Sequence, residues 1–228
     1  SFGGGVNSTA MLIGMVERGE KCDLIIFADT GDEKPHTYEH IRECSKWLID
    51  NGMPEITTIK GDQPQMVKDG SLSAECWRLG NLPAKAYGGS GCSMKWKIEP
   101  QEKFMRRYLT ERQLTGPYTK LVGYDADEPE RAERASRVVS DAYTKRFPLV
   151  EWGWGREDCV EAISRVGLKQ PGKSACWHCP STKKWEILEL KRTYPLLLNR
   201  ALEMERRALA GEGPAGKFMA AGLGRNFS

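Results

Sequence analysis

The sequence predicts an α/β protein: a doubly wound, mostly parallel sheet with a cysteine-bearing loop region and C-terminal helices. Three observations predict it. Short apolar runs at residues 23–29, 56–60 and 120–124 alternate with segments of helical period. A glycine run, Gly3-Gly4-Gly5, leads into an apolar helix-forming stretch at residues 11–17. Cys76, Cys92, Cys176 and Cys179 fall in Gly/Pro-rich or turn-like surroundings, outside the periodic segments.

The chain of 228 residues suits one large α/β domain, or one domain with a helical appendage. A hydrophobic content of 39% and a mean hydropathy of −0.54 fit a globular protein with a well-solvated surface. No apolar run approaches the ~20 residues of a membrane span, and no basic-then-apolar leader is visible, so no membrane partner is expected. The net charge of +3 does not demand nucleic acid, yet it leaves room for a local basic patch that binds phosphates. Seven cysteines, an odd number in a chain too large to need disulfide staples, point to a reduced cytoplasmic protein with a metal site. Cys22, Cys44 and Cys159 lie in strand-edge or helical patterns and read as small core residues.

The glycine run allows positive φ and a close approach to a ligand, and the helix after it presents unpaired N–H groups and a positive dipole end. Ser8 and Thr9 stand where that helix begins. Their hydroxyls can cap it or hydrogen-bond a phosphate. Residues 23–29 then form a buried strand ending in Asp29, residues 30–35 break it, and residues 36–51 are helical with Tyr38, Ile41, Cys44, Trp47 and Leu48 on one stripe. Residues 56–60 are a third β-type run. The span from 76 to 100 has little periodicity and reads as a long functional loop.

A helix over about 98–111 leads to the short strand at 120–124 and a charged run at 125–134. Another short helix, at 156–166, ends at Gly167. From Lys184 the pattern is helical to about Leu209 with a break at Pro195, and the Gly/Ala-rich tail from Gly211 packs little. Trp77, Trp96, Trp152, Trp154, Trp177 and Trp185 serve as core, as a base-stacking platform or as a partner surface, with core the expected role for most.

Cys176-Trp177-His178-Cys179 sets two thiolates close enough to bind one metal or one edge of a cluster. Cys76 and Cys92 would bring the set to four. Tetrathiolate ligation suits Zn²⁺ or [4Fe–4S], and the residue pattern alone does not separate them. His178, between two ligands, is expected to face solvent or a second layer around the metal.

Several segments resemble one family. Gly4-Gly5-x-Asn7-Ser8 is similar to the PP-loop, Ser-Gly-Gly-x-Asp-Ser, of the ATP pyrophosphatase (adenine nucleotide alpha hydrolase) and phosphoadenosine phosphosulfate (PAPS) reductase superfamily, with Gly3 at the first serine and Asn7 at the aspartate. The absent carboxylate at Asn7 removes a charge that could hold Mg²⁺. A strand precedes such a loop in the family, so residues upstream of Ser1 are expected. Phe27-Ala28-Asp29-Thr30-Gly31-x-Glu33-x-Pro35-x-Thr37-Tyr38 resembles the Asp-Thr-Gly-x-x-x-Pro-Glu-Thr-Tyr segment of PAPS reductases. Cys92-Ser93-x-Lys95-x-Lys97-x-x-Pro100 is similar to their Cys-Cys-x-x-Arg-Lys-x-x-Pro. The run from Gly123 looks like Gly-x-Arg-x-Asp-Glu-Ser-x-x-Arg, with Tyr124 departing from it and Glu128 and Arg131 fitting.

The resemblance covers about residues 1–190 and implies a nucleotide-binding domain there with the cysteine site, followed by a C-terminal helix and flexible tail over 191–228. It implies ATP or a related adenine nucleotide held by Gly3, Gly4, Gly5, Asn7, Ser8 and Thr9, flanked by Asp29 and Thr30, with Glu128 nearby. Lys95, Lys97 and Arg131 (or Arg134) would offset phosphate charge. The adenylylsulfate (APS) reductase branch holds [4Fe–4S] on two cysteine pairs, which favours the cluster over zinc here. Cys92, Cys176 and Cys179 map onto that pattern, Gly91 replaces one ligand, and Cys76 substitutes for it.

The expected activity is substrate adenylation or sulfur transfer, as in phosphorothioation and tRNA thiolation relatives, with a nucleic acid or a sulfur-donor protein as partner. No cysteine follows Cys179 to act as the attacking thiol of a sulfonucleotide reductase. PAPS or APS reduction would therefore need an external thiol partner. A third reading is a non-catalytic nucleotide-binding subunit of an oligomeric assembly.

Overall fold

A computed structural model describes residues 1–83, 85–86 and 89–214. Ala84, Tyr87 and Gly88 of the expected long loop, and the tail beyond 214, lie outside the described residues. The fold is mixed α/β and divides into two compact units that interleave along the chain. Unit 1 is Ser1–Phe27, Pro35–Ile59 and Phe104–Ser174; unit 2 is Ala28–Lys34, Lys60–Lys103 and Ala175–Ser228.

Unit 1 is built around helix α1 (Val6–Glu17), which is apolar on nearly every side and buried from Val6 to Met15 apart from Asn7. A helix hydrophobic all round must be covered all round. Leu12 and Met15 pack with Phe2 and Phe27 and with Ile41, Cys44 and Leu48 of helix α2 (Pro35–Asp50). Ala10, Met11 and Ile13 pack in a second cluster with Leu149, Cys159, Ala162 and Ile163. Cys44 and Cys159 are core residues, as their patterns predicted, and Cys22 is half-buried.

Strand β1 (Ile25–Ala28) pairs with β2 (Ile56–Ile59). The extended first residues join this pair to another: Phe2 N–H donates to Ile26 O at 2.8 Å, and the Ser1 nitrogen donates to Leu121 O at 3.2 Å. Beyond the short two-residue pair given below for unit 2, two longer strands follow in unit 1.

In unit 2, Ser71 caps a helix over Leu72–Leu79 by accepting from the Ala74 N–H at 3.2 Å, and Gly80 ends it in the left-handed region. With Pro64–Asp69 numbered α3, this helix is α4. Strands β3 (Lys85–Ala86) and β4 (Gly89–Ser90) pair antiparallel. Helix α5 (Gly91–Ser93) passes through a π-helical turn, Met94–Ile98, into α6 (Glu99–Glu111). The loop expected over 76–100 is therefore largely helical. A serine and a glycine bracket the eight residues of α4, whereas the chain's Gly-rich average hides them.

Returning to unit 1, β5 (Tyr118–Leu121) runs parallel to β6 (Tyr143–Arg146), in register from Tyr118 opposite Tyr143 to Leu121 opposite Arg146. Between them lies α7 (Pro129–Ser136), and after them α8 (Pro148–Glu151) and α9 (Arg156–Arg165). Strand β6 was not legible as a strand because half of its four residues are basic. Helices α10 (Lys184–Thr193) and α11 (Pro195–Ala210) complete unit 2, broken at Pro195 as predicted. Their inner faces join Cys76, Trp96, Cys176 and Trp177 in the core of that unit. None of the described helices is long and apolar enough to cross a membrane.

Candidate functional site

In unit 1 the glycine loop is shaped by Gly4, whose φ of +71° only glycine adopts without strain. Gly5 is the N-cap of α1 and supplies no side-chain cap, so the first-turn N–H groups have none. The hydroxyls that could have faced a phosphate turn inward. Ser8 Oγ donates to Gly5 O at 3.1 Å and accepts from Gly3 N–H at 3.3 Å. Thr9 Oγ1 donates to Gly5 O at 3.0 Å and lies 2.8 Å from His40 Nε2. Ser8 and Thr9 thus brace the loop with their hydroxyls.

Asn7 is a bridge. Its Nδ2 donates to Asp125 Oδ2 at 2.8 Å, and its Oδ1 accepts from Arg156 Nη1 at 2.9 Å. Gly123 makes this pairing geometrically accessible, since a Cβ there would come within 3.1 Å of Ser8 Cα. The hydroxyl of Ser174 also stands at the loop, 3.0 Å from where a Cβ on Gly5 would be. Asp125, Arg156, His40 and Ser174 were missed by sequence reasoning. Each is remote in sequence from the glycines, and only the distant fold brings them together.

Arg131, expected at a phosphate, instead lies 3.0 Å from both carboxylate oxygens of Glu128. Its guanidinium also covers the Tyr124 ring at 4.3 Å, and that ring stacks on Phe147. Arg134 stands in the last turn of the same helix, α7.

Unit 2 holds Cys76, Cys92, Cys176 and Cys179, the four expected at a metal. Cys76 lies on α4, and Cys92 on α5 packs against the apolar cluster that contains Cys76 and Cys176. The Cys179 N–H donates to Cys176 O at 3.0 Å, closing the Cys-x-x-Cys turn. Thr30 Oγ1 lies 3.1 Å from Cys176 Sγ. Burial pushes the Cys76 thiol up to about 12, with Glu75, Asp32 and Cys92 adding to it. Burial also raises Cys92, next helped by Cys179, and it raises Cys176, next helped by Glu33. Cys76 and Cys176 thus share one apolar cluster with Cys92 packed against it, and Cys179 is close enough to Cys92 to act on its charge. Among the described residues no three His, Cys, Asp or Glu side chains stand together as metal ligands. The donor set itself, four buried or half-buried thiols, is of the soft type that zinc and iron–sulfur clusters take once deprotonated.

The two lysines of the π-helical turn are held by carboxylates. Lys95 bonds Glu75, which also accepts from Trp96 Nε1 at 3.0 Å. Lys97 Nζ donates to the buried Glu33 Oε1 at 2.7 Å. Burial opposes the Lys97 charge, but Glu33 and Cys176 outweigh it and hold its ammonium above the ordinary lysine range. The lysines expected to face a phosphate thus contact carboxylates.

Asp29 accepts from Gly31 N–H at 2.8 Å and lies 3.7 Å from Lys60. Asp32 takes the N–H and hydroxyl of Ser73 at 2.5 and 2.6 Å. His178 is not solvent-facing: it is 1% exposed, edge-on to Trp177 and 4.0 Å from Asp32. Burial, with Arg200 adding, drops its pKa to about 3. Trp96 and Trp177 are core, whereas Trp77 and Trp185 are exposed. Trp152 and Trp154 flank the Arg18 guanidinium at 4.2 and 4.9 Å.

No family model matches the chain, and no solved structure matches it. It is similar to an uncharacterized protein of Methanocaldococcus jannaschii, with 23% identity over 193 residues. That match covers 80% of this chain and 41% of the relative, so the chain spans less than half of the relative's length.

Proposed function

We propose that the chain is a PAPS reductase-like PP-loop enzyme that binds ATP or a related adenine nucleotide and carries a [4Fe–4S] cluster for substrate adenylation or sulfur transfer. The observation that carries the reading is the gathering of Cys76, Cys92, Cys176 and Cys179, from three separate stretches of chain, into one neighbourhood of unit 2. Cys76 and Cys176 lie in one apolar core with Cys92 packed against it, and four thiols match the ligand count that a cluster takes. When bound, the cluster would supply order to these loops or a route for sulfur.

In unit 1 the first-turn amides of α1 would take the phosphates, and Arg156 beside Asn7 would supply the cation there. The finer fold reading is a doubly wound sheet ordered β2, β1, the first residues, β5, β6. It is supported by the hydrogen bonds of Ser1 and Phe2 to β5 and β1. A cytoplasmic setting is supported by the free state of all the cysteines.

The test is anaerobic purification followed by a visible spectrum and iron, sulfide and zinc analysis, on wild type and on Cys76→Ala. A broad band near ~400 nm with about four irons per chain, weakened by the substitution, is the expected result. Stoichiometric zinc without iron would make the site structural.

A second reading, a nucleotide-binding subunit that does not cleave ATP, is favoured by one observation: Lys95 and Lys97 are both engaged by carboxylates. Pyrophosphate release on incubation with ATP separates the two, since the subunit would bind ATP and release none.

A further inference from the structure

The inference below rests on reading the glycine loop as the seat of a nucleotide's phosphates. Asn7 lies in the first turn of α1, at the position where the PP-loop pattern has an aspartate. Across from it, Asp125 is 4% exposed. Asn7 Nδ2 holds Asp125 Oδ2 at 2.8 Å, while Asp125 Oδ1 is buried with no hydrogen-bond partner among the described residues. A carboxylate oxygen shut off from both water and donors is costly to keep unless a cation or a water completes it.

The neighbouring charged groups have other tasks. Asp127 Oδ2 accepts from the Arg156 N–H at 2.6 Å, and Asp158 Oδ2 accepts from the Gly155 N–H at 2.8 Å, so both cap α9. Arg156 gives its Nη1 to Asn7 Oδ1. Cys159, close enough to sense the Asp125 charge, is a buried neutral thiol. Asp125 is thus a carboxylate beside the helix start with one oxygen oriented by Asn7 and the other without a task.

We propose that Asp125 Oδ1 is the Mg²⁺ ligand of this loop, replacing from the loop after β5 the carboxylate that position 7 lacks. Mg²⁺ is commonly held by one or two carboxylates plus phosphates and retained waters, so one protein oxygen suffices when a nucleotide supplies the rest. The Asn7 amide is then a positioning group: it fixes the carboxylate through Oδ2 and leaves Oδ1 for the ion.

The test uses Mn²⁺ as the metal and α,β-methylene-ATP as the nucleotide. Mn²⁺ binding is read by electron paramagnetic resonance, and nucleotide binding by calorimetry with Mn²⁺ and in EDTA, on wild type, D125N and the swap N7D/D125N. The D125N side chain still offers an oxygen to the Asn7 amide, and the swap restores one carboxylate to the pair, so a fold defect in one variant is checked by the other.

The expected result is that nucleotide tightens Mn²⁺ binding in wild type, that D125N weakens it about tenfold or more, and that the swap recovers it. Binding of the nucleotide in EDTA should be unchanged or tighter in D125N. Wild-type Mn²⁺ binding in D125N would overturn the inference and leave the nucleotide reading standing. Failure of wild type to bind the nucleotide with or without metal would overturn the nucleotide reading, and the inference with it.

Discussion

Thr9 Oγ1 and His40 Nε2 lie 2.8 Å apart with both side chains buried. Thr9 has one hydroxyl hydrogen and gives it to Gly5 O at 3.0 Å, so His40 must donate through Nε2–H. An imidazole on α2 thereby fixes a hydroxyl on α1 that fixes the carbonyl of the glycine loop.

This relationship has a pH signature. Burial lowers the His40 pKa below its ordinary value of 6.5, against the raising effect of Glu43 and with His36 adding to the drop. The folded state therefore binds this proton less readily than the unfolded state. Its contribution to stability is full above pH ~6.5 and drains as the pH falls toward the folded-state value. Urea midpoints should fall between pH 7.5 and pH 5.5 in wild type and fall less in His40→Gln, which keeps an N–H donor for Thr9. An equal slope in both proteins would remove His40 from the account.

Gly4 and Gly19 separate backbone strain from crowding at the loop. Both have positive φ, +71° and +67°, but a Cβ on Gly4 would lie 3.0 Å from Thr37 Cγ2, whereas Gly19 has nothing within 4 Å. Alanine at either position costs about 1–2 kcal/mol of left-handed strain. Gly4→Ala should cost roughly 1 kcal/mol more than Gly19→Ala, because Thr37 must move. Chemical denaturation compares the two, and only Gly4→Ala should weaken nucleotide binding.

Glu75 serves two donors at once, Lys95 and the Trp96 indole, from a nearly buried position on α4. Glu75→Leu would strand a buried N–H and should destabilise the protein by about 1–3 kcal/mol. Glu75→Gln, which still accepts from the indole, should cost less. Denaturation midpoints and the emission maximum of the tryptophans give the two readouts; equal losses in the two variants would mean that the carboxylate's charge opposite Lys95, not its acceptor oxygen, is what matters.

The thiols should sort by burial in the metal-free protein. Cys44, Cys76 and Cys159 are buried and pushed up to about 12 by that burial, whereas Cys22, Cys92 and Cys179 are half-buried. Brief iodoacetamide labelling at pH 8 followed by peptide mass spectrometry should modify the second group first. Anaerobic reconstitution with iron and sulfide should then shield Cys92 and Cys179 and leave Cys22 reactive. Protection of all three alike would point to a general tightening instead of ligation.

Local residue chemistry made a good part of this protein legible. The all-apolar stripe of residues 11–16 declared a buried helix, the run Ile25-Ile26-Phe27-Ala28 a buried strand, and Pro195 a helix break, because each signal is carried by adjacent residues. Cys44 and Cys159 were recognisable as core for the same reason. The helical state of residues 72–79 escaped notice since its cap residues, Ser71 and Gly80, look like ordinary loop residues in a Gly-rich region.

The residue order specifies which reactive groups the chain carries: a glycine turn before a helix, a Cys-x-x-Cys, lysines and carboxylates, each at its place. Folding in three dimensions assigns their partners. Lys97 meets Glu33, Lys95 meets Glu75, Arg131 meets Glu128, and Ser8 and Thr9 meet the loop carbonyl, whereas Asp125, far along the chain, meets Asn7 with an oxygen to spare. Half of these partnerships join residues far apart in sequence, and their existence depends on burial and on distances of about 3 Å. Neither quantity is encoded at any one position, so the fold must be formed before a group's availability is defined.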